Sequence, residues 1–235
     1  MNFVVENNGK INVIFLHGWG ADYSSFYFLK DIIKNSTLHF ANLDGFGGAP
    51  APDDPSINGY AQRLQQYIAH NKLQNVVLVG HSFGGRVAIE YASKYFVLGL
   101  VLVDSAGVKP KFSIKKQLNI AKYKFVKCLV KHKFMHKDRL LKFGSVDYKN
   151  ADTKLKKVLV SCTNYNQQPI LNKISAPTLI VWGKYDKDTP LYMAKILDKH
   201  IKKSKLIVLE NSGHFSFLDR PNMFCSLLQN FINSL

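Results

Sequence analysis

Five residues in the first half of the chain, Gly80-His81-Ser82-Phe83-Gly84, match the pattern Gly-x-Ser-x-Gly. They follow a run of valine and leucine at 76–79 that predicts a strand, and they precede a stretch at 84–91 that predicts a helix. A serine in a sharp strand-to-helix turn has its hydroxyl exposed at the edge of the sheet, and the two glycines leave room for strand and helix to approach closely. The sequence therefore predicts that Ser82 is a nucleophile.

The rest of the chain alternates predicted strands with predicted helices. Short runs of β-branched and aliphatic residues indicate strands, and apolar residues at helical spacing indicate helices. This alternation is typical of the α/β class, in which a mostly parallel, doubly wound sheet carries helices on both faces. The predicted strands lie at 11–16, 38–43, 76–79, 98–103, 178–182 and 206–209, and the predicted helices at 24–34, 57–71, 84–91, 191–200 and 222–235.

The alternation stops after Gly107 and resumes at Thr178. The residues between these points contain helical spacing but no strong strand signal. We expect one α/β core made of residues 1–107 and 173–235, with residues 108–172 inserted into it as a small helical lid. A chain of 235 residues is long enough for one such domain with a small insertion.

Two polar residues that follow predicted strands can act together with Ser82. Asp186 comes shortly after the strand at 178–182, and His214 shortly after the strand at 206–209. The carboxyl ends of parallel strands meet at the edge of the sheet where ligands bind. A histidine there can take the serine proton, and a carboxylate can orient the imidazole. Asp104 and Asp188 remain alternatives for the acid, because Asp104 also ends a strand and Asp188 lies two residues from Asp186.

This constellation resembles the α/β-hydrolase superfamily, whose catalytic residues follow the order serine, acid, histidine. The resemblance covers nearly the whole chain outside the insertion. The stretch His17-Gly18-Trp19-Gly20 is similar to the oxyanion loop of the family. The resemblance implies that the backbone N–H groups of Trp19 and Phe83 form the oxyanion hole.

The resemblance also implies the reaction, which is cleavage of a small-molecule carboxylic ester or thioester through an acyl-enzyme. The compact chain and its His-Gly-Trp-Gly loop resemble the esterases that remove a methyl ester from pimeloyl-acyl carrier protein. Carbon–carbon bond hydrolases usually carry asparagine before the nucleophile and tryptophan after the histidine, whereas this chain has His81 and Phe215. A carbon–carbon bond hydrolase and a ligand receptor without turnover remain alternatives. We expect structural roles for His17, His81 and the loop at 42–47.

The positive charge of the chain is concentrated in the insertion. The net charge is +16, and residues 109–157 alone hold fifteen lysines and Arg139 against three aspartates. A basic lid suits an acidic acyl carrier, an anionic acyl group or an anionic surface, because complementary potential speeds encounter. A solvated lysine-rich face explains the same composition. Nucleic acid is not an expected partner, since no binding module accompanies the charge.

The sequence gives no sign of a cofactor, a metal site or a membrane span. The three cysteines, Cys128, Cys162 and Cys225, are far apart and lack metal-ligand spacing, so we expect reduced thiols. The apolar runs are only of strand length, well short of the ~20 residues that cross a bilayer. The first ten residues lack the pattern of a signal peptide, so a cytoplasmic location is the expectation.

Overall fold

A seven-stranded sheet forms the centre of the described chain. The structure is a computed structural model that describes residues 1–110, 118, 122–127, 130 and 151–235. The strands are β1 (Asn2–Glu6), β2 (Ile11–Leu16), β3 (Ser36–Asn42), β4 (Val76–His81), β5 (Gly99–Val103), β6 (Thr178–Gly183) and β7 (Ser204–Leu209). Their order in the sheet is β1-β3-β2-β4-β5-β6-β7, and all neighbours are parallel except β1 and β3.

Helices cover both faces of this sheet. The sheet separates two apolar cores, because successive strand residues point to opposite faces. Ile14 and Leu16 belong to the core with the helices at 57–70 and 83–92, whereas Val13 and Phe15 belong to the core with the helices at 24–27 and 221–233. This architecture confirms the predicted α/β class with a mostly parallel, doubly wound sheet. The helices are α1 (Ser24–Tyr27), α2 (Ile57–His70), α3 (Phe83–Ala92), α4 (Thr153–Asn164), α5 (Tyr192–His200), α6 (Ser216–Asp219) and α7 (Pro221–Asn233).

The predicted helix at 24–34 is wrong in length. The structure has the short α1 followed by a 3₁₀ helix over Phe28–Asp31. Tyr23, the residue before α1, makes no side-chain capping bond, and the segment is rich in aromatic residues, which are weak helix formers. By contrast, the predicted cap of α2 is present, because Ser56 Oγ accepts the N–H of Gly59 at 3.1 Å.

The first strand, β1, was not predicted. It pairs antiparallel with β3 at the edge of the sheet, with Val4 opposite Phe40. Its residues are half-buried or exposed, so it lacks the continuous apolar run by which a central parallel strand is recognised.

The inserted segment is described mainly at its carboxyl-terminal end. Helix α4 begins after Asp152, whose carboxylate accepts the N–H of Leu155 at 2.8 Å. Val158 and Cys162 on α4 are buried in the core that also contains α2 and α3. Residues 118, 122–127 and 130 are helical, and the remainder of 111–150 lies outside the described residues. The division into a core and a lid at 108–172 therefore stays a prediction.

Two further sequence expectations concern the cysteines and membrane spans. Cys162 and Cys225 are buried free thiols, and Cys128 lies outside the described residues. Within the described part of the chain, no helix has the length and apolar character needed to cross a bilayer.

Gly84 allows α3 to pack closely on β2. A Cβ at this position would fall on the carbonyl oxygen of Leu16 and close to that of His17. The N–H of Gly84 donates to the His17 carbonyl at 3.0 Å, which ties the start of α3 to the loop after β2. Gly84 is therefore required for the close approach that the sequence pattern predicted.

Substitution of Gly84 by alanine should destabilise the fold strongly. Overpacking against fixed backbone costs about 3 kcal/mol, and the unfolding midpoint should fall by about 6–12 °C. The control is Gly213→Ala, because the nearest atom to a Cβ there is Asp219 Oδ2 at 3.8 Å. Thermal unfolding followed by circular dichroism compares the two variants. Equal midpoints for both would contradict the close packing at Gly84.

Candidate active site

Ser82 lies in a strained turn between β4 and α3. Its backbone has φ 49° and ψ −110°, a conformation that L-residues rarely adopt. Hydrogen bonds on both sides hold this conformation. The Ser82 N–H donates to the Val103 carbonyl at 3.1 Å, and the Ser82 carbonyl accepts from Gly85 and Ala106 at 3.1 and 3.0 Å. The strained turn is thus braced by β5 and by the loop that follows it.

His214 lies in the loop after β7 and faces Ser82. Its Nε2 is 3.0 Å from Ser82 Oγ, within hydrogen-bond distance. The buried ring of His81 supports this loop, because His81 Nε2 donates to the His214 carbonyl at 2.8 Å. Burial and the nearby His214 lower the pKa of His81 to about 3, so its imidazole is neutral.

Asp186 lies in the loop after β6 and accepts from His214. Its Oδ2 is 2.9 Å from His214 Nδ1 and also accepts the hydroxyl of Thr189 at 2.6 Å. Its Oδ1 accepts the backbone N–H groups of Asp188 and Thr189 at 2.8 and 2.9 Å. Burial raises the pKa of Asp186, but these bonds to the carboxylate outweigh it, so the pKa is lowered. The anionic carboxylate fixes the proton on Nδ1 and leaves Nε2 free to accept.

Asp104, an alternative acid, makes a different set of contacts. It is fully buried, and its Oδ1 accepts the Gly183 N–H at 2.7 Å. Its Oδ2 accepts the N–H and the hydroxyl of Ser216 at 3.0 and 2.5 Å. Burial raises the pKa of Asp104 to about 7 despite these bonds. Both oxygens thus tie the ends of strands and helices together, and neither bonds to the His214 imidazole.

Asp188, the other alternative, is exposed. A carboxylate oxygen of Asp188 lies within 4.8 Å of ligand atoms on Asp186 and His214, so these three residues could in principle approach one metal ion. However, Asp186 Oδ2 and His214 Nδ1 are bonded to each other. The pair of Asp186 and His214 is therefore better suited to sharing a proton than to binding a metal ion.

Trp19 and Phe83 lie in contact with each other and border the same cleft as Ser82. Their rings meet edge to face, with centroids 5.5 Å apart. Among the described residues, neither backbone N–H donates a hydrogen bond. The loop that carries Trp19 is fixed by His17, whose Nδ1 donates to the Gly18 carbonyl at 2.7 Å and whose Nε2 accepts the Leu43 N–H at 3.0 Å. Within the described part of the chain, two unengaged N–H groups thus lie beside the candidate nucleophile.

The loop at 42–47 has structural contacts. Asn42 Oδ1 accepts the N–H of Tyr23 at 2.9 Å, and its Nδ2 donates to the Gly47 carbonyl at 2.8 Å. Asp44 is buried and forms ion pairs with the amino terminus and with Arg63. None of these residues lines the cleft described next.

A cleft of about 640 Å³ opens above Ser82 and His214. Its walls include the apolar side chains of Trp19, Val108 and Met193. The same walls hold two polar residues that the sequence reasoning missed, Thr189 and Arg86. The sequence marks Thr189 only by its place next to Pro190. Arg86 stands out more, because it is a charged residue in the otherwise apolar first turns of a helix.

Comparisons with known proteins match this chain to one family and to relatives that are named as a lipase or as esterases. A model of the alpha/beta hydrolase family matches residues 13–226. A monoacylglycerol lipase of Bos taurus is 29% identical, covering 96% of this chain and 76% of the lipase. A pimeloyl-[acyl-carrier protein] methyl ester esterase of Wigglesworthia glossinidia brevipalpis is 24% identical, covering 97% of this chain and 96% of the esterase. The solved structure of an esterase from Exiguobacterium antarcticum has a TM-score of 0.77 and 25% sequence identity. The match covers 98% of this chain and 95% of the esterase chain.

Proposed function

The chain belongs to the alpha/beta hydrolase family, and we propose that it is a serine hydrolase that cleaves carboxylic esters or thioesters through an acyl-enzyme. One observation carries the proposal. Ser82 Oγ, the two ring nitrogens of His214 and Asp186 Oδ2 form one continuous line of hydrogen bonds, at 3.0 and 2.9 Å. In this reading Ser82 is the nucleophile, His214 the general base and Asp186 the acid that orients it.

The first half of the reaction acylates Ser82. A serine hydroxyl is a weak nucleophile, so His214 Nε2 takes its proton as Oγ attacks the carbonyl carbon. The imidazolium then donates this proton to the leaving alcohol or thiol, and the C–O or C–S bond breaks. In the second half His214 takes a proton from water, hydroxide attacks the acyl-enzyme, and Ser82 Oγ leaves with the proton from His214.

Asp186 supports the charge that develops on His214 in each half. Burial lowers the pKa of His214, but the bond from Nδ1 to Asp186 and the charge of that carboxylate raise it by more. The net effect is a raised pKa, so imidazolium is stabilised without transfer of a proton to Asp186. The hydroxyl of Thr189 holds the carboxylate oxygen that faces the ring.

The oxyanion is proposed to bind the backbone N–H groups of Trp19 and Phe83. The lack of other acceptors for them among the described residues supports this role. Such a donor typically contributes ~3 kcal/mol to lowering the barrier. The contribution arises because the donors are already oriented when charge develops.

The substrate class is proposed from the cleft and the relatives. The lipase and the methyl ester esterase named above both act on esters, and the cleft has apolar walls that suit an acyl chain. His81 and Phe215 continue to disfavour a carbon–carbon bond hydrolase. A receptor without turnover would have the same three residues, so a turnover assay is the discriminating test.

An acidic acyl carrier or anionic surface is a finer proposal that rests on the charge of the insertion. Lys122, Lys124 and Lys127 are exposed on the helical residues 122–127. Most of the other basic residues in this segment lie outside the described residues. The support for this partner is therefore the sequence charge alone.

Turnover of 4-nitrophenyl esters of increasing acyl length should depend on all three proposed residues. Ser82→Ala should abolish detectable turnover. Asp186→Asn should lower kcat by about 10³- to 10⁴-fold, because the imidazole loses its fixed tautomer. Asp188→Asn, an exposed neighbour with no bond to His214, is the matched control and should change kcat little.

A wild-type protein that hydrolyses none of these esters would contradict the proposal and favour the receptor. A variant Asp104→Asn that is folded and yet impaired as much as Asp186→Asn would contradict the choice of acid. Circular dichroism of each variant separates loss of folding from loss of catalysis.

The pH dependence should report the raised pKa of His214. The base is active only when neutral, so kcat/KM should rise with pH through a midpoint above 6.5, the ordinary value. In Ser82→Ala, NMR titration of the imidazole should give a similarly raised midpoint. The double variant Ser82→Ala/Asp186→Asn should titrate lower, because burial remains while the carboxylate is gone. A midpoint below 6.5 in the wild type would contradict the role of Asp186.

A further inference from the structure

Arg86 is a buried cation in the wall of the cleft that contains Ser82. It lies one helical turn after Ser82 on α3, and its backbone N–H donates to the Ser82 carbonyl. Only 6% of its surface is exposed, yet it lines the cleft. Helical side chains lean toward the amino-terminal end of their helix. For Arg86 this is the end at which Ser82 is located.

The guanidinium of Arg86 has few partners in the described structure. Its Nη1 donates to the Tyr165 carbonyl at 2.9 Å. Among the described residues no carboxylate forms an ion pair with it. A guanidinium has five N–H donors, so Arg86 has donors to spare.

The nearby polar groups are already engaged or neutral. Glu90, the acid on the same helix, pairs with Lys94 at 2.6 Å and accepts from Gln167 at 3.3 Å. Cys162 lines the cleft beside Arg86, but burial raises the pKa of its thiol to about 12, so it supplies no negative charge. The exposed Asp188 also lines the cleft, but it forms no ion pair with Arg86. The cleft therefore contains a buried positive charge that pairs with no carboxylate among the described residues.

A buried charge of this kind is costly unless an opposite charge pairs with it. Burial without a carboxylate partner lowers the pKa of Arg86, although a guanidinium stays protonated in proteins. Its planar fork matches a carboxylate, with two parallel N–H···O bonds. A carboxylate of the ligand would supply the missing counter-ion.

We propose that Arg86 binds a carboxylate on the substrate, so that the preferred substrates are esters or thioesters with a second, anionic group. This inference rests on the proposed function, since it assigns the substrate class of the same cleft. The carboxylate is held at one end of the cleft while the ester carbonyl lies at Ser82. The spacing between the two groups then selects the substrate length.

Matched ester pairs test this preference. Mono-4-nitrophenyl adipate has a free carboxylate on the acyl side, and its methyl ester is the neutral counterpart. For the alcohol side, the pair is 4-carboxyphenyl butyrate and its methyl ester. For each pair the measured quantity is the ratio of kcat/KM for the carboxylate to kcat/KM for the neutral ester, which cancels any loss of folded protein.

In one of the two pairs, Arg86→Gln should lower this ratio by about 10- to 100-fold, the range for a hydrogen bond between charged groups. Arg86→Lys should retain part of the preference, because the charge remains but the fork is lost. Arg220→Gln removes an exposed arginine outside the cleft and should leave the ratio unchanged. The pair that responds identifies the side of the ester that faces Arg86. Ratios that are the same in wild type and Arg86→Gln for both pairs would overturn the inference.

A binding measurement separates this inference from the proposed reaction. Calorimetric titrations of monomethyl adipate and of 4-carboxyphenyl butyrate into Ser82→Ala cover the two sides of the ester. At least one of these ligands should bind about 10-fold or more weakly to Ser82→Ala/Arg86→Gln. Binding that depends on Arg86 in a protein without ester turnover would support the inference and contradict the proposed function. Turnover of neutral esters, with equal binding to the two variants, would support the proposed function and overturn the role of Arg86.

Discussion

The backbone of Ser82 is held at positive φ by the packing of the strands and the helix around it. A non-glycine residue in such a conformation costs about 1–3 kcal/mol and persists only where the surrounding structure fixes it. Here the N–H and the carbonyl of Ser82 both bond to residues at the end of β5 or beyond it. Gly80 and Gly84 complete the constraint, since a Cβ at either position would meet backbone atoms. The position of the hydroxyl thus follows from the packing of the central strands rather than from a loop alone.

A second buried group, Asp104, connects the loops after β6 and β7 to the end of β5. Its carboxyl accepts from Gly183, three residues before Asp186, and from Ser216, two residues after His214. The Asp104 carbonyl oxygen also lies 3.0 Å from the hydroxyl oxygen of Thr189. One side chain at the end of β5 therefore anchors the two loops that carry the proposed acid and base. We infer that its burial is tolerated because it makes several hydrogen bonds to groups in these loops.

The sequence predicted the features that depend on local pattern or on the order of elements. The strand before Ser82, the cap at Ser56 and the places of Asp186 and His214 after successive strands follow from short segments read in turn. The choice between Asp104 and Asp186 depends on contacts between residues about 80 to 110 positions apart, which no local pattern reveals. Arg86 was missed for a related reason, since its bond to the Tyr165 carbonyl joins residues 79 positions apart. The edge strand β1 was not predicted, because its half-exposed residues form no continuous apolar run.

The central claim is that Ser82 is an activated nucleophile, and reaction with a fluorophosphonate probe tests it most directly. Such a probe phosphonylates a serine oxygen with loss of fluoride, and it needs no knowledge of the natural substrate. Intact mass spectrometry should show one added phosphonyl group on the wild-type protein, mapped to Ser82 by peptide analysis. No added group should appear on Ser82→Ala. A folded wild-type protein that stays unlabelled, or labelling that persists in Ser82→Ala, would contradict the account.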